Sequence, residues 1–119
     1  MKQRIIFVQI MISATFIFKQ KSSDFEFETL DASIENFVTS HPEYLGKDQW
    51  SNSEKGIMAV VYYFLSEKGL EDLKVFSDHK TAKINHTKWY ESYQVVISKV
   101  IQTYGDGKME HVTNSKLIS

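Results

Sequence analysis

Residues 57–65 read "IMAVVYYFL", and the reading of this run decides the fold. The flanks of the run read as helix ends. Upstream, Ser51 and Glu54 in "SNSE" have the capping-box spacing directly before the run. Downstream, Gly69 after Lys68 suits a left-handed C-terminal cap. With these ends, Ile57, Val60, Val61, Phe64 and Leu65 share one helical face, and Met58, Tyr62 and Tyr63 fill much of the remainder. A helix apolar on most sides is a central one, so the sequence predicts a central helix here.

The same period extends outward. After it, Leu70, Leu73 and Phe76 mark a short helix over 70–77. Trp89, Tyr93, Val96, Ile97, Val100, Ile101 and Tyr104 then fit the inward face of a last long helix that begins near Thr87 and ends at Gly105. Before it, Leu30, Ile34, Phe37 and Val38 fall at i, i+4, i+7 and i+8. Pro42 disfavours helical geometry at His41, which places the end of that helix near Ser40. "DFEFETL" alternates apolar and acidic residues, a signal for a short extended segment near residues 24–30. The expectation is an all-α body, a small bundle of three to four helices over residues 24–119. Its tail from about residue 106 is polar.

Residues 1–23 read as an address. A basic start, "MKQR", is followed by the apolar run Ile5–Phe18. At ~1.5 Å per residue the run is shorter than the ~30 Å hydrocarbon core. A secretory signal peptide is therefore expected, with export to a periplasmic or extracellular space. The alternatives are a membrane anchor at residues 5–18 and a core strand at Ile5–Ile12.

The chain has 119 residues, enough for one domain, and no cysteine. That excludes disulfides, thiolate metal ligation and cysteine nucleophiles. Its four basic residues before position 24 have no acidic counterpart there, so residues 24–119 hold 10 basic and 15 acidic side chains, a net of −5. Such an acidic body lacks the clustered Lys and Arg that a phosphate backbone requires, so nucleic acid is not an expected partner.

Chemistry-bearing residues concentrate in "SDHKTAKINHTKWYESY", residues 77–93. His79 and His86 are seven apart across a lysine-containing segment, unlike the helical i, i+4 pair of zinc hydrolases. There is no G-x-S-x-G elbow, S-x-x-K or Gly-rich phosphate loop. Among the aromatics, Trp89 and Tyr93 are in phase with the predicted core, whereas Tyr62, Tyr63 and Tyr90 are not. The candidate contact residues are thus His86, Tyr90, His79, Tyr62 and Tyr63, with His86 and Tyr90 forming an exposed edge of the last helix. No cofactor, catalytic residue or metal ligand is assigned. The function expected is an exported, non-catalytic helical protein that binds an unidentified protein partner, touching membrane only through its N-terminal segment. The alternative is a small-ligand or metal-binding domain, conceivably a hydrolase, centred on residues 79–93. No motif in the chain names a family.

Overall fold

The computed structural model describes residues 11–114. Four strands form one sheet with helices on one face: β1 (Met11–Gln20), α1 (Phe25–Thr39), β2 (Tyr44–Asn52), β3 (Ile57–Phe64), α2 (Lys68–Val75), α3 (Ser77–Ile84) and β4 (Tyr90–Val100). A single 3₁₀ turn, His86–Lys88, joins α3 to β4. The sheet order is β2-β3-β1-β4, and every neighbouring pair is antiparallel. β1 therefore runs parallel to β2 with β3 between them, and β3 runs parallel to β4 with β1 between them. These two interlocked split βαβ units make the α+β arrangement called ferredoxin-like.

The all-α bundle is thereby corrected. "IMAVVYYF" is strand β3, paired on both sides, and not a central helix. Its valines, tyrosines and phenylalanine are residues that pleated surfaces favour. Ser51 belongs to β2 and Glu54 lies within the hairpin turn, in which Lys55 N donates to the Asn52 carbonyl and Gly56 takes φ +66°. Gly69 lies inside α2, where a Cβ would stand 2.4 Å from Phe64 Cδ1; the glycine lets the helix backbone reach the sheet. The predicted last helix is strand β4. α1 exists, but it starts at Phe25, so the extended segment expected near residues 24–30 is helical. Asp24 caps it by accepting from Phe27 N at 2.7 Å.

The expected signal peptide is corrected over part of its length. The basic start and residues 5–10 lie outside the described residues. Met11–Phe18, the second half of the apolar run, is central strand β1, hydrogen-bonded to β3 on one side and β4 on the other. Among the described residues, no helix is long and apolar enough to cross a membrane.

Strand alternation then sorts the side chains. Ile12, Ala14, Phe16 and Phe18 of β1 face the helices, as do Phe64, Tyr62, Val60 and Met58, their partners on β3. The closed part of the core lies at one end, where Ile12, Ala14, Val38, Phe64 and Leu70 are buried together. Full burial of each large side chain there contributes ~1.5–3 kcal/mol. At the opposite end, Phe16, Phe18, Met58, Val60, Tyr90 and Tyr93 are only half-buried. The helix face of the sheet is fully covered at the Phe64 end and only partly covered at the Phe18 end. On the other face of the sheet, the segment after β4 returns to β2, where Val112 packs against Gly46.

Candidate functional site

The partly covered end is lined by rings. Phe16 and Phe18 stack at 4.8 Å, and the Tyr90 ring meets both edge-on, at 5.5 and 5.4 Å. Tyr93 lies 5.7 Å from Phe16, and Phe27 of α1 closes on Tyr90 at 5.8 Å. Sheet geometry explains the gathering. Tyr93 pairs with Phe18 in the β1–β4 register, so both project from the same face. The register shift at Lys19/Gln20 then brings Tyr90 to that face as well.

Asp31 is the unexpected member. It lies on the inner stripe of α1 with Phe27, Ile34 and Val38, yet it is exposed. A carboxyl on the apolar stripe of a helix is tolerated where that stripe is not packed shut. Its surroundings raise its pKa, first through the partial loss of water and then through the charge of Glu35. Asp31 in turn acts on the phenols. Tyr90 is pushed up to about 12, mainly by burial and secondarily by Asp31. Among the described residues, the Tyr90 hydroxyl makes no hydrogen bond. Burial and then the hydrogen bond to Glu35 raise the Tyr62 phenol too. Tyr62 donates to Glu35 Oε2 at 2.5 Å, and Lys47 donates to Glu35 Oε1.

His86 stands at the rim, its ring 4.9 Å from Tyr93. Its Nδ1 is 2.8 Å from the Lys83 carbonyl. A carbonyl only accepts, so Nδ1 carries the proton and the neutral ring keeps its lone pair on Nε2.

The five residues singled out from sequence go to different places. Tyr90, Tyr62 and His86 are on or beside the helix face of the sheet. Tyr63 points to the opposite face, where its hydroxyl donates to Asp48 and His111 Nε2 meets the same carboxylate at 2.6 Å. His79 is half-buried on α3, its Nδ1 buried without a partner, and burial and Lys83 hold its pKa below the ordinary value. The helix edge on which His86 and Tyr90 were to stand does not exist. Among the described residues, no group of three or more His, Asp or Glu side chains could hold a metal ion. Sequence reasoning missed Asp31, Phe16, Phe18 and Phe27. The one signal for Asp31 was an acid in phase with Phe27, Ile34 and Val38.

A groove of about 560 Å³ between α1 and α2 is lined by Phe37, His41, Pro42, Asp72, Val75 and Phe76. Its polar groups are already used. Glu43 N donates to His41 Nδ1, and His41 Nε2 faces Asp72 at 2.8 Å. Nothing there is aimed at a ligand.

No family model and no curated protein matches the chain. Solved structures do, at the level of fold. SnoaB, a cofactor-independent oxygenase from Streptomyces nogalater, superposes with TM-score 0.61 at 10% identity, over 79% of this chain and 96% of that one. A dimeric ferredoxin-like protein of unknown function from Thermobifida fusca gives 0.56 at 14% identity, over 84% and 100%. A putative antibiotic biosynthesis monooxygenase from Chloroflexus aurantiacus gives 0.52 at 9% identity, over 80% and 97%. The likeness shows the fold. The non-catalytic helical protein-binder expected from sequence is accordingly corrected. No bundle exists to present its contact edge, and two of the structures that share this fold are named a cofactor-independent oxygenase and a putative antibiotic biosynthesis monooxygenase.

Proposed function

We propose that the chain is a small-molecule-binding domain that takes a planar aromatic ligand into the partly covered end, between the sheet and α1. One observation carries the reading: the half-buried ring lining formed by Phe16, Phe18, Tyr90 and Tyr93 lies beside an inward yet exposed carboxyl, Asp31. Small-molecule sites are mostly apolar, with a few placed polar groups that fix orientation. Here the rings supply area and edge-to-face contacts, and Asp31 and the Tyr90 hydroxyl supply orientation. A ligand hydroxyl is the matching group, because Asp31 accepts and the Tyr90 hydroxyl can donate or accept.

The likeness to a cofactor-independent oxygenase favours a second, chemical reading of the same site. His86, with its lone pair on Nε2, would take the proton of a bound phenol, and the electron-rich phenolate would then meet dioxygen.

Titration with 2-naphthol, followed by the chemical shifts of the ring protons, tests the binding reading. Saturable one-to-one binding that weakens in Tyr93→Ala and Phe18→Leu is expected. Binding that these variants leave unchanged would place the ligand elsewhere and end the proposal. Oxygen uptake with the bound phenol, lost in His86→Gln, tests the second reading.

A further inference from the structure

The outer face of the sheet carries a second set of polar groups, away from the ring-lined end. In the β2–β3 register Asp48 pairs with Val61 and Gly46 with Tyr63, so Asp48 and Tyr63 stand diagonally on that face. Gly46 leaves the room that Val112 fills. Val112 thereby seats the segment after β4 over β2, and His111 reaches Asp48. Asn114 N donates to the His111 carbonyl at 2.9 Å and closes the turn.

Hydrogen bonds fix the state of the His111 ring. Thr113 N, which can only donate, lies 3.1 Å from Nδ1. Nδ1 therefore carries the lone pair and Nε2 the proton. That proton goes to Asp48 Oδ2 at 2.6 Å. The Tyr63 hydroxyl donates to the same oxygen at 2.9 Å. Burial and then this bond push the Tyr63 phenol up to about 12, so it stays a donor. The Thr113 hydroxyl is 2.6 Å from Nδ1, closer than the amide. It donates to a nitrogen whose ring is held from the far side by a carboxylate. His111 and Thr113 also line a cavity of about 160 Å³, together with Tyr104, Gly105, Gly107 and Met109. A cavity of ~150 Å³ admits a molecule of benzene's size.

We propose that Thr113, His111 and Asp48 form a hydrolytic site for esters of short acyl chains, with Thr113 Oγ1 as nucleophile, His111 as general base and Asp48 as its positioning residue. A hydroxyl, a base within hydrogen-bond reach and a third group that orients the base are the parts nucleophilic catalysis uses, recognised by geometry and role and not by chain order. Thr113 Oγ1 attacks the ester carbonyl carbon as its proton passes to His111 Nδ1. The bond from that carbon to the alcohol oxygen then breaks, and the leaving oxygen takes the proton back from Nδ1. Water attacks the acyl-threonine next, losing a proton to Nδ1. When the acid departs, that proton returns to Thr113 Oγ1. The sum is ester plus water to acid plus alcohol, with no change of oxidation state. Asp48 balances the imidazolium in each half. This inference does not rest on the ligand reading, because the two sites lie on opposite faces of the sheet.

The probe is 4-nitrophenyl acetate, given to the full chain. Release of 4-nitrophenol should saturate with ester concentration, and mass spectrometry of the acid-quenched reaction should find an acetyl group on Thr113. Thr113→Val removes the hydroxyl at nearly unchanged shape, and should show neither the acetyl group nor turnover above that of buffer. Thr113→Ser, purified in the same way, should keep both. His111→Gln should lower kcat about 10²–10⁴-fold, the usual share of a general base. Asp48→Asn should lower kcat with KM unchanged, because a neutral amide does not balance the imidazolium; that split separates positioning from a merely structural tie between the tail and the sheet. Circular dichroism reports the fold of each variant, and the position of the acetyl group in the parent chain decides the matter where a variant fails to fold. A parent chain without turnover, an acetyl group found only on other residues, or turnover that Thr113→Val leaves unchanged would overturn the proposal.

Discussion

The Trp89 indole N–H donates to Asp24 Oδ1 at 3.0 Å, and the same oxygen accepts from Phe27 N at 2.7 Å. One carboxylate thus caps α1 and ties its start to the residue just before β4. The helix cap and the sheet are joined at a contact between residues 65 apart in sequence. The Phe27 amide, then the indole, hold the Asp24 carboxyl below its ordinary 3.8, with Lys88 assisting. A depressed folded-state pKa means stability that is full above the unfolded value and lost as pH falls through the folded one. Asp24→Asn should therefore be less stable than the parent chain at neutral pH and should converge with it in acid. Urea midpoints measured from pH 7 down to about pH 2 check this; two curves that stay parallel would show that the charge plays no part.

Trp89 itself is 1% exposed, and Phe27 lies 5.5 Å from its ring. Removing the ring leaves a void that the end of a strand cannot refill. Trp89→Ala should cost about 3–5 kcal/mol. Trp89→Phe keeps much of the volume but leaves Asp24 without its indole donor, and should cost less. Denaturant unfolding of both orders them. An alanine variant losing under ~1 kcal/mol would mean that Trp89 is not packed as described.

Gly69 offers a test of the helix-to-sheet distance. Phe64, the residue its missing Cβ would strike, is 1% exposed and has no open space to move into. Gly69→Ala would ordinarily favour a helix, because alanine is the best helix former. Here overpacking should outweigh that gain and cost about 1–3 kcal/mol. A second change, Phe64→Leu, should recover part of the loss, a non-additivity that thermal melts of the two single variants and the double can read.

Some of this was legible in the sequence. The Leu30, Ile34, Phe37, Val38 period and Pro42 located α1 and its end, and Leu70 and Leu73 located α2, because both helices have one wet side. β3 and β4 were misread for a physical reason. β3 is paired and covered enough to be apolar on both faces, and a short apolar run carries no period of its own. In β4, Val95, Val96 and Ile97 are consecutive because the strand is exposed on both faces, so alternation is lost. The β-branched and aromatic content of both runs was the better guide. The half of the apolar run at Met11–Phe18 looked like a leader because a central strand and a leader's apolar region have the same composition. The site was partly visible, through Tyr90 and His86. The rings opposite them come from β1 and α1, and only the β1–β4 register brings them together.

Asp31 supplies the sharpest test of the site. Its pKa is raised by loss of water and by Glu35, with Lys47 opposing. A raised folded-state carboxyl pKa means that the folded chain holds this proton more tightly than the unfolded one. Its contribution is most favourable below the unfolded value and declines as pH rises through the folded value. At neutral pH the Asp31 charge therefore works against the fold, the pattern of a residue kept for function at some expense of stability. Asp31→Asn should raise the urea midpoint at pH 7, and the difference from the parent should shrink in acid. It should also remove the negative charge that helps lift the Tyr90 phenol, so ultraviolet titration should bring that group below about 12. If the carboxylate orients the ligand, the same variant should bind 2-naphthol more weakly although it is more stable. Opposite signs for stability and binding mark Asp31 as a residue of the site. Loss of both together would make it a structural residue and remove the observation on which the ligand reading rests.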